Sequence, residues 1–101
     1  MSPEEITDVI IAEIRSFNDW VSIADVLKAL GNSSFAAGRD DVKQIFDCVN
    51  SSSRIKIGRV HSGYEEIRKP VPVDAMLDNI FSEDKASDRS ALMMELFLAE
   101  T

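Results

Sequence analysis

The sequence has few of the residues on which disulfide and metal chemistry depend. It contains one cysteine, Cys48, and one histidine, His61. A single cysteine cannot form an internal disulfide, and a structural zinc site needs four nitrogen or sulfur ligands. We therefore predict no disulfide, no metal and no cofactor, and the lone cysteine is typical of a reducing, cytoplasmic setting.

Long apolar runs, export signals and catalytic motifs are lacking as well. The purely apolar runs span only a few residues, whereas a membrane-crossing helix needs roughly 20. Glu4 and Glu5 stand where a secretory signal would be basic, so we expect a cytoplasmic protein without membrane contact. Neither a phosphate-binding glycine-rich loop nor a nucleophile motif is present. We therefore expect that the protein is not an enzyme.

The charge of the chain is acidic overall but is unevenly distributed. The net charge is −7, from 11 Lys and Arg against 18 Asp and Glu. Residues 51–69 carry five cations against two acids, a sum of +3, whereas residues 1–50 and 70–101 each sum to −5. An acidic body repels nucleic acid at long range, so DNA contact would have to be local and salt-sensitive.

Two helices are predicted from capping boxes followed by apolar residues at helical spacing. Ser2-Pro3-Glu4-Glu5 starts a helix over residues 3–17, with one buried face that ends at Phe17. After the short apolar pair Trp20-Val21, a second box from Ser22 to Asp25 starts a helix that Gly31 stops. Residues 32–39 fit either a loop or a helix from Ser34, and a firm helix is predicted from about Asp40 to Asn50.

A hairpin and two further helices complete the predicted elements. Residues 54–60 and 64–69 alternate in polarity as half-buried strands do, with Ile55, Ile57 and Ile67 inward and the turn at 61–63. Asp74 caps a helix that ends near Phe81, and the last helix covers residues 91–99. The fold class is thus α+β and mainly helical, with one globular unit for 101 residues.

The last predicted helix is apolar around most of its circumference. Such a helix needs cover on every side, which favours an intermolecular role as a homodimer seam or a partner's docking surface. The alternative is that it packs back on the domain and completes a small core. The candidate interface residues are Leu92, Met93, Leu96 and Phe97. Deletion from Ser87 onward should then give a soluble monomer.

Residues 3–69 resemble the winged helix-turn-helix superfamily in element order and apolar phasing. The resemblance is carried by the stretch from Trp20 to Gly31 and by the alternating strand from Arg54 to Val60. It implies a winged-helix domain over residues 1–69, with a C-terminal helical extension over residues 70–101 in the same globular unit. Most members that it resembles are transcriptional regulators, and some are protein-docking modules that bind no DNA.

In the winged-helix proteins that this sequence resembles, the second of the paired helices enters a DNA groove and the hairpin forms the wing. The candidate DNA-binding residues are the polar and cationic ones on these two elements: Arg39, Lys43, Gln44, Arg54, Lys56, Arg59 and His61. The sequence therefore predicts a small DNA-binding regulator that dimerises through its C-terminal helices. The alternative, favoured by the charge sum, is an acidic adaptor that docks a protein partner without DNA affinity.

Overall fold

Five helices and four strands are found in residues 2–60 and 63–101, the part of the chain that the computed structural model describes. The fold is α+β, with one antiparallel sheet. The helices are α1 (Pro3–Phe17), α2 (Ile23–Ala29), α3 (Arg39–Ser51), α4 (Val73–Phe81) and α5 (Ala86–Glu95). The strands are β1 (Val21–Ser22), β2 (Ile55–Val60), β3 (Tyr64–Ile67) and β4 (Leu96–Glu100). None of these helices is long and apolar enough to cross a bilayer.

Both predicted capping boxes are confirmed. The Glu5 amide donates to Ser2 Oγ at 3.2 Å, and the Ser2 amide donates back to Glu5 Oε1 at 3.2 Å. The same exchange joins Ser22 and Asp25 at 3.1 and 3.3 Å. These bonds satisfy amides that the first turn of a helix leaves without partners. The positions at which α1 and α2 begin are therefore determined by local sequence.

The segment between α2 and α3 is a loop, which settles the alternative for residues 32–39. It contains a turn in which the Ala36 and Ala37 amides donate to the Ser33 carbonyl, and α3 begins at Arg39.

One smaller prediction was wrong, since Phe17 is 56% exposed rather than part of the buried face of α1. The helix ends at this residue, and Asn18 follows in the left-handed conformation with φ 56°.

The hairpin is confirmed, with Ile57 opposite Ile67 and Val60 opposite Tyr64. Ile55 and Ile57 are fully buried, and Ile67 packs against the core. The predicted turn at residues 61–63 falls largely on His61 and Ser62, which lie outside the described residues. The hairpin is held to α3 by Lys69, whose Nζ donates to the carbonyls of Ser52 and Ile55 at 2.5 and 2.7 Å.

The predicted helix over residues 91–99 was wrong in its second half. Helix α5 ends at Glu95, and β4 follows without a linker. Strand β4 pairs with both β1 and β2, so the sheet order is β1-β4-β2-β3. Leu98 lies opposite Val21 on one side and Ile57 on the other. The apolar run thus obtains its cover inside the molecule, as an interior strand does.

This placement also corrects the predicted helical seam of Leu92, Met93, Leu96 and Phe97. Met93 and Leu96 are buried in the core, and Leu92 is half-buried against it. Phe97 points to the other side of the sheet from Leu96, because successive strand residues alternate in direction. These four side chains do not form one exposed surface, so the premise of a helical dimer seam was wrong.

The two faces of the sheet differ in their cover. Ile55, Ile57, Leu96 and Leu98 are buried on the inner face, in the core shared with α1 and α3. The opposite side, here called the outer face, carries partly exposed side chains on three strands. Its residues are Lys56, Gly58 and Val60 of β2, Tyr64 and Glu66 of β3, and Phe97 and Ala99 of β4.

Candidate functional site

The cations of α3 that were predicted to contact DNA are already paired with acidic neighbours. Arg39 Nη2 lies 2.7 Å from Asp78 Oδ1 on α4, and Lys43 Nζ lies 2.9 Å from Asp47 Oδ2 one turn later. The bond to Asp47 raises the pKa of Lys43 above its usual value. Gln44 is exposed beside a shallow pocket that Asp47 also lines. The exposed side of α3 is therefore neutral to acidic and lacks a free cationic stripe.

The hairpin cations do not converge on one surface either. Lys56 lies on the outer face, whereas Arg59 projects from the other face of the sheet, where it is the cross-strand neighbour of Glu65. Arg54 is exposed just before β2 begins, and its backbone amide donates to Ser52 Oγ at 3.1 Å. The predicted contact at His61 lies outside the described residues. The structure therefore places Lys56 and Arg59 on opposite faces of the sheet.

What the outer face brings together instead is a cluster of three aromatic side chains. The rings of Trp20 and Tyr64 are stacked with centroids 4.9 Å apart and an interplanar angle of 12°. Phe97 meets Trp20 edge-on at 6.2 Å. All three residues are half-buried, so each remains partly accessible. Stacked and edge-on aromatic pairs contribute about 0.5–1.5 kcal/mol beyond their buried area.

A glycine gives the cluster its place on the sheet. Gly58 is buried beneath the Tyr64 ring, and a Cβ there would lie 2.7 Å from Tyr64 Cζ. The missing side chain lets the ring lean across β2 towards Trp20. Covering a strand glycine with a cross-strand aromatic ring is a recurrent device that also fixes strand register. The geometry of the cluster therefore depends on Gly58.

Charged groups border the aromatic rings. Lys56 Nζ lies 5.7 Å from the centre of the Tyr64 ring and 3.9 Å from Glu66 Oε1. Within about 6 Å of a ring centre, an ammonium group is attracted to the π-electrons. On the outer face, the Glu66 carboxylate and the Tyr64 ring therefore together hold the ammonium group of Lys56.

An open cleft of about 500 Å³ lies beside the cluster. Trp20, Lys56 and Tyr64 form part of its wall, and the pair Arg15–Glu100 forms another part. Arg15 donates to both oxygens of Glu100 at 3.2 and 2.9 Å, which lowers the pKa of the carboxyl group. The cleft thus combines charged groups of both signs with aromatic surface, and aromatic residues are enriched at protein-binding surfaces.

The hydroxyl of Tyr64 is buried and has no hydrogen-bond partner among the described residues. Burial raises the pKa of Tyr64 from 10.0 to about 12. Because burial disfavours the charged phenolate, ionisation of Tyr64 costs the fold no stability below pH 10, and the fold loses stability as the pH rises from 10 towards 12. The unfolded chain ionises first in that window.

Tyr64→Phe is therefore expected to leave the fold intact at neutral pH and to flatten its alkaline loss of stability. Removal of an unpartnered buried hydroxyl should change stability at pH 7 by no more than about 1 kcal/mol, with stabilisation the expected sign. Urea unfolding at pH 7 and pH 11 measures both effects. Since Tyr64 is the only tyrosine in the chain, a spectrophotometric titration reports its pKa directly. A normal tyrosine pKa, or a large loss of stability at pH 7, would contradict the assignment.

The sequence alone did not identify the aromatic cluster, because its members are remote in the chain. Trp20 was assigned to a short apolar pair and Phe97 to a helix, while Tyr64 was an ordinary strand residue. A usable signal was the alternation from Leu96 to Ala99, in which every second residue is large and aliphatic. Read as a strand, that alternation turns Phe97 to the face opposite Leu96 and Leu98.

Among the described residues, no group of three His, Cys, Asp or Glu side chains is arranged to hold a metal ion. Comparison with known proteins finds no family model that matches the sequence, no matching curated protein and no matching solved structure. The assignment of function therefore rests on the surface geometry of the chain itself.

Proposed function

We propose that this chain is an acidic winged-helix adaptor that docks a protein partner through its outer sheet face and has no DNA affinity of its own. The order α1, β1, α2, α3, β2, β3 over residues 3–69 supports the winged-helix architecture. Strand β4 is an addition to that plan, inserted between β1 and the hairpin.

The observation that carries the proposal is the contrast between α3 and the outer face. On α3, Arg39 and Lys43 each hold a carboxylate within 2.9 Å. A phosphate would have to displace these carboxylates while opposed by the net charge of −7. On the outer face, Trp20, Tyr64 and Phe97 form an accessible aromatic cluster. Aromatic side chains of this kind dominate the binding energy of protein interfaces.

A DNA-binding regulator is the second candidate, because one observation favours it. The cations of residues 51–69 exceed the acids by three, against −10 for the rest of the chain. Under this proposal Arg54 and Arg59 would supply phosphate contacts, and affinity would fall steeply with salt. It is the weaker candidate because Arg39 and Lys43 on α3 already hold carboxylates, and Lys56 and Arg59 lie on opposite faces of the sheet.

Two binding measurements on the same folded protein separate the candidates. Peptides are selected from a random display library, and their affinities are compared for the unmodified chain, Trp20→Ala and Phe35→Ala. Phe35 is the matched control, since it is an exposed aromatic residue outside the cluster. We expect Trp20→Ala to weaken binding at least about thirtyfold, as for an interface hot spot, and Phe35→Ala to have little effect. Circular dichroism verifies that each variant is folded.

The second measurement is a titration with duplex DNA at low salt. The adaptor proposal expects no binding. Binding that the double substitution Arg54→Glu, Arg59→Glu abolishes would establish the regulator instead. Selected peptides that bind equally to Trp20→Ala and to the unmodified chain would remove the outer face from the docking surface.

A further inference from the structure

One edge of the sheet is open to an added strand. Strand β3 is last in the order β1-β4-β2-β3 and pairs with β2 on one side only. Among residues 2–60 and 63–101, no strand pairs with its other side. An edge strand leaves every second residue with its N–H and C=O directed outward. Extended segments of partner proteins commonly bind by pairing with such an edge.

The two central side chains of this edge strand are carboxylates, one on each face of the sheet. Glu65 and Glu66 are consecutive exposed residues of β3, so they lie on opposite faces. Glu66 shares the outer face with Tyr64, and Glu65 lies on the other face opposite Arg59. A strand added at this edge would therefore meet one carboxylate on each face, whichever way its own side chains alternate.

The same two carboxylates disfavour a second copy of this chain as the occupant. In a symmetric dimer, two copies of β3 would pair antiparallel about a two-fold axis. Residues that lie opposite each other project from the same face of the sheet, so the residue nearest the axis lies opposite its own copy. Near the middle of β3 that residue is Glu65 or Glu66. Like charges directly opposite each other destabilise a strand pair. Complementarity with these two carboxylates instead favours a cationic strand, because opposite charges facing each other stabilise a strand pair.

We infer that the free edge of β3 accepts an extended, basic segment of the partner protein as an added antiparallel or parallel strand. This inference rests on the proposed adaptor function and names the chemistry of its partner. Lys56 illustrates the recognition on the outer face, since its ammonium group already lies between Glu66 and the Tyr64 ring. A Lys or Arg of the partner strand would bind the same Glu66 carboxylate from the side of the open edge.

A synthetic peptide tests the inference. The probe is a short acetylated peptide of valine, arginine and lysine with cations at two consecutive central positions. Its control is the same sequence N-methylated at the central amides, which keeps the charge but cannot donate ladder hydrogen bonds. Trp20 is the only tryptophan in the chain and stacks on Tyr64 of β3, so its fluorescence reports binding at this edge.

Three results are expected. The probe binds and changes the Trp20 emission, and the N-methylated control binds at least about tenfold more weakly. Glu66→Gln and Glu65→Gln each weaken binding about fivefold. Glu83→Gln, which makes the same charge change at an exposed residue between α4 and α5, leaves the affinity unchanged.

Equal affinity for the probe and its N-methylated control would overturn strand addition and leave charge attraction alone. Equal losses in Glu66→Gln and Glu83→Gln would overturn the assignment to β3. The adaptor function fails separately. If library peptides bind through Trp20 while the basic probe neither binds nor competes with them, the function stands and the edge inference falls. If neither library peptides nor the probe bind, both fall.

Discussion

A chain that lacks its last six residues, from Leu96 to Thr101, is expected to be unfolded. These residues include β4, which separates β1 from β2 and pairs with both. Without it, β1 has no partner and the sheet is reduced to the β2–β3 hairpin, which is at best marginally stable by itself. Leu96 and Leu98 also leave the core. Leu98→Ala alone should cost about 2–5 kcal/mol, a large part of the roughly 5–15 kcal/mol that stabilises a domain.

Circular dichroism, proton NMR dispersion and urea unfolding of the truncated chain measure this effect. Met94→Ser is the matched control, because Met94 is an apolar residue in the same region but is 53% exposed. That substitution should change stability by no more than about 0.5 kcal/mol. A truncated chain that still unfolds cooperatively and remains monomeric would contradict the central position of β4. It would agree instead with the sequence-based expectation that deletion from Ser87 gives a soluble monomer.

The sequence was sufficient for those parts of the fold that depend on local signals. The boxes at Ser2 and Ser22 start α1 and α2 because a side chain and an amide three residues apart satisfy each other. The period-two pattern from Ile55 to Val60 identifies β2 for an equally local reason. Each of these signals is complete within a few residues, so no knowledge of the tertiary fold is needed.

Strand β4 could not be identified in this way. The run Leu96-Phe97-Leu98-Ala99 continues the apolar pattern of α5, and a short apolar run does not distinguish a buried helix from a buried strand. Its state is decided by pairing with Val21 and Ile57, which lie far away in the sequence. Tertiary pairing of this kind routinely overrides local propensity.

The candidate site shows the same division between local and remote information. The pair Lys43–Asp47 is visible in the sequence as an i, i+4 neighbour pair on a helix. The pair Arg39–Asp78 and the stacking of Trp20 on Tyr64 join residues about forty positions apart. The charge pattern therefore indicated a basic hairpin, whereas the neutralisation of α3 and the aromatic cluster required the three-dimensional arrangement.

Substitution of Gly58 is expected to have the second largest effect, because no space exists for a side chain at this position. A Cβ would lie 2.5 Å from the Glu65 carbonyl oxygen and 2.7 Å from Tyr64 Cζ. The first contact is with backbone and can be relieved only by moving β3 away from β2. Gly58→Ala should therefore destabilise the fold by about 1–3 kcal/mol, and Gly58→Val by more. Urea unfolding measures the change in free energy.

The two contacts of Gly58 can be separated with a double-mutant cycle. In a Tyr64→Ala chain the ring contact is absent, so Gly58→Ala should cost about 1 kcal/mol less than in the unmodified chain. Gly63→Ala is the control, since a Cβ there meets none of the described residues within 4 Å. In Gly58→Ala the displaced Tyr64 ring should also shift the Trp20 emission, which links the space above Gly58 to the proposed docking surface. A stability loss no greater than that of Gly63→Ala, with unchanged Trp20 emission, would show that Gly58 does not position the cluster.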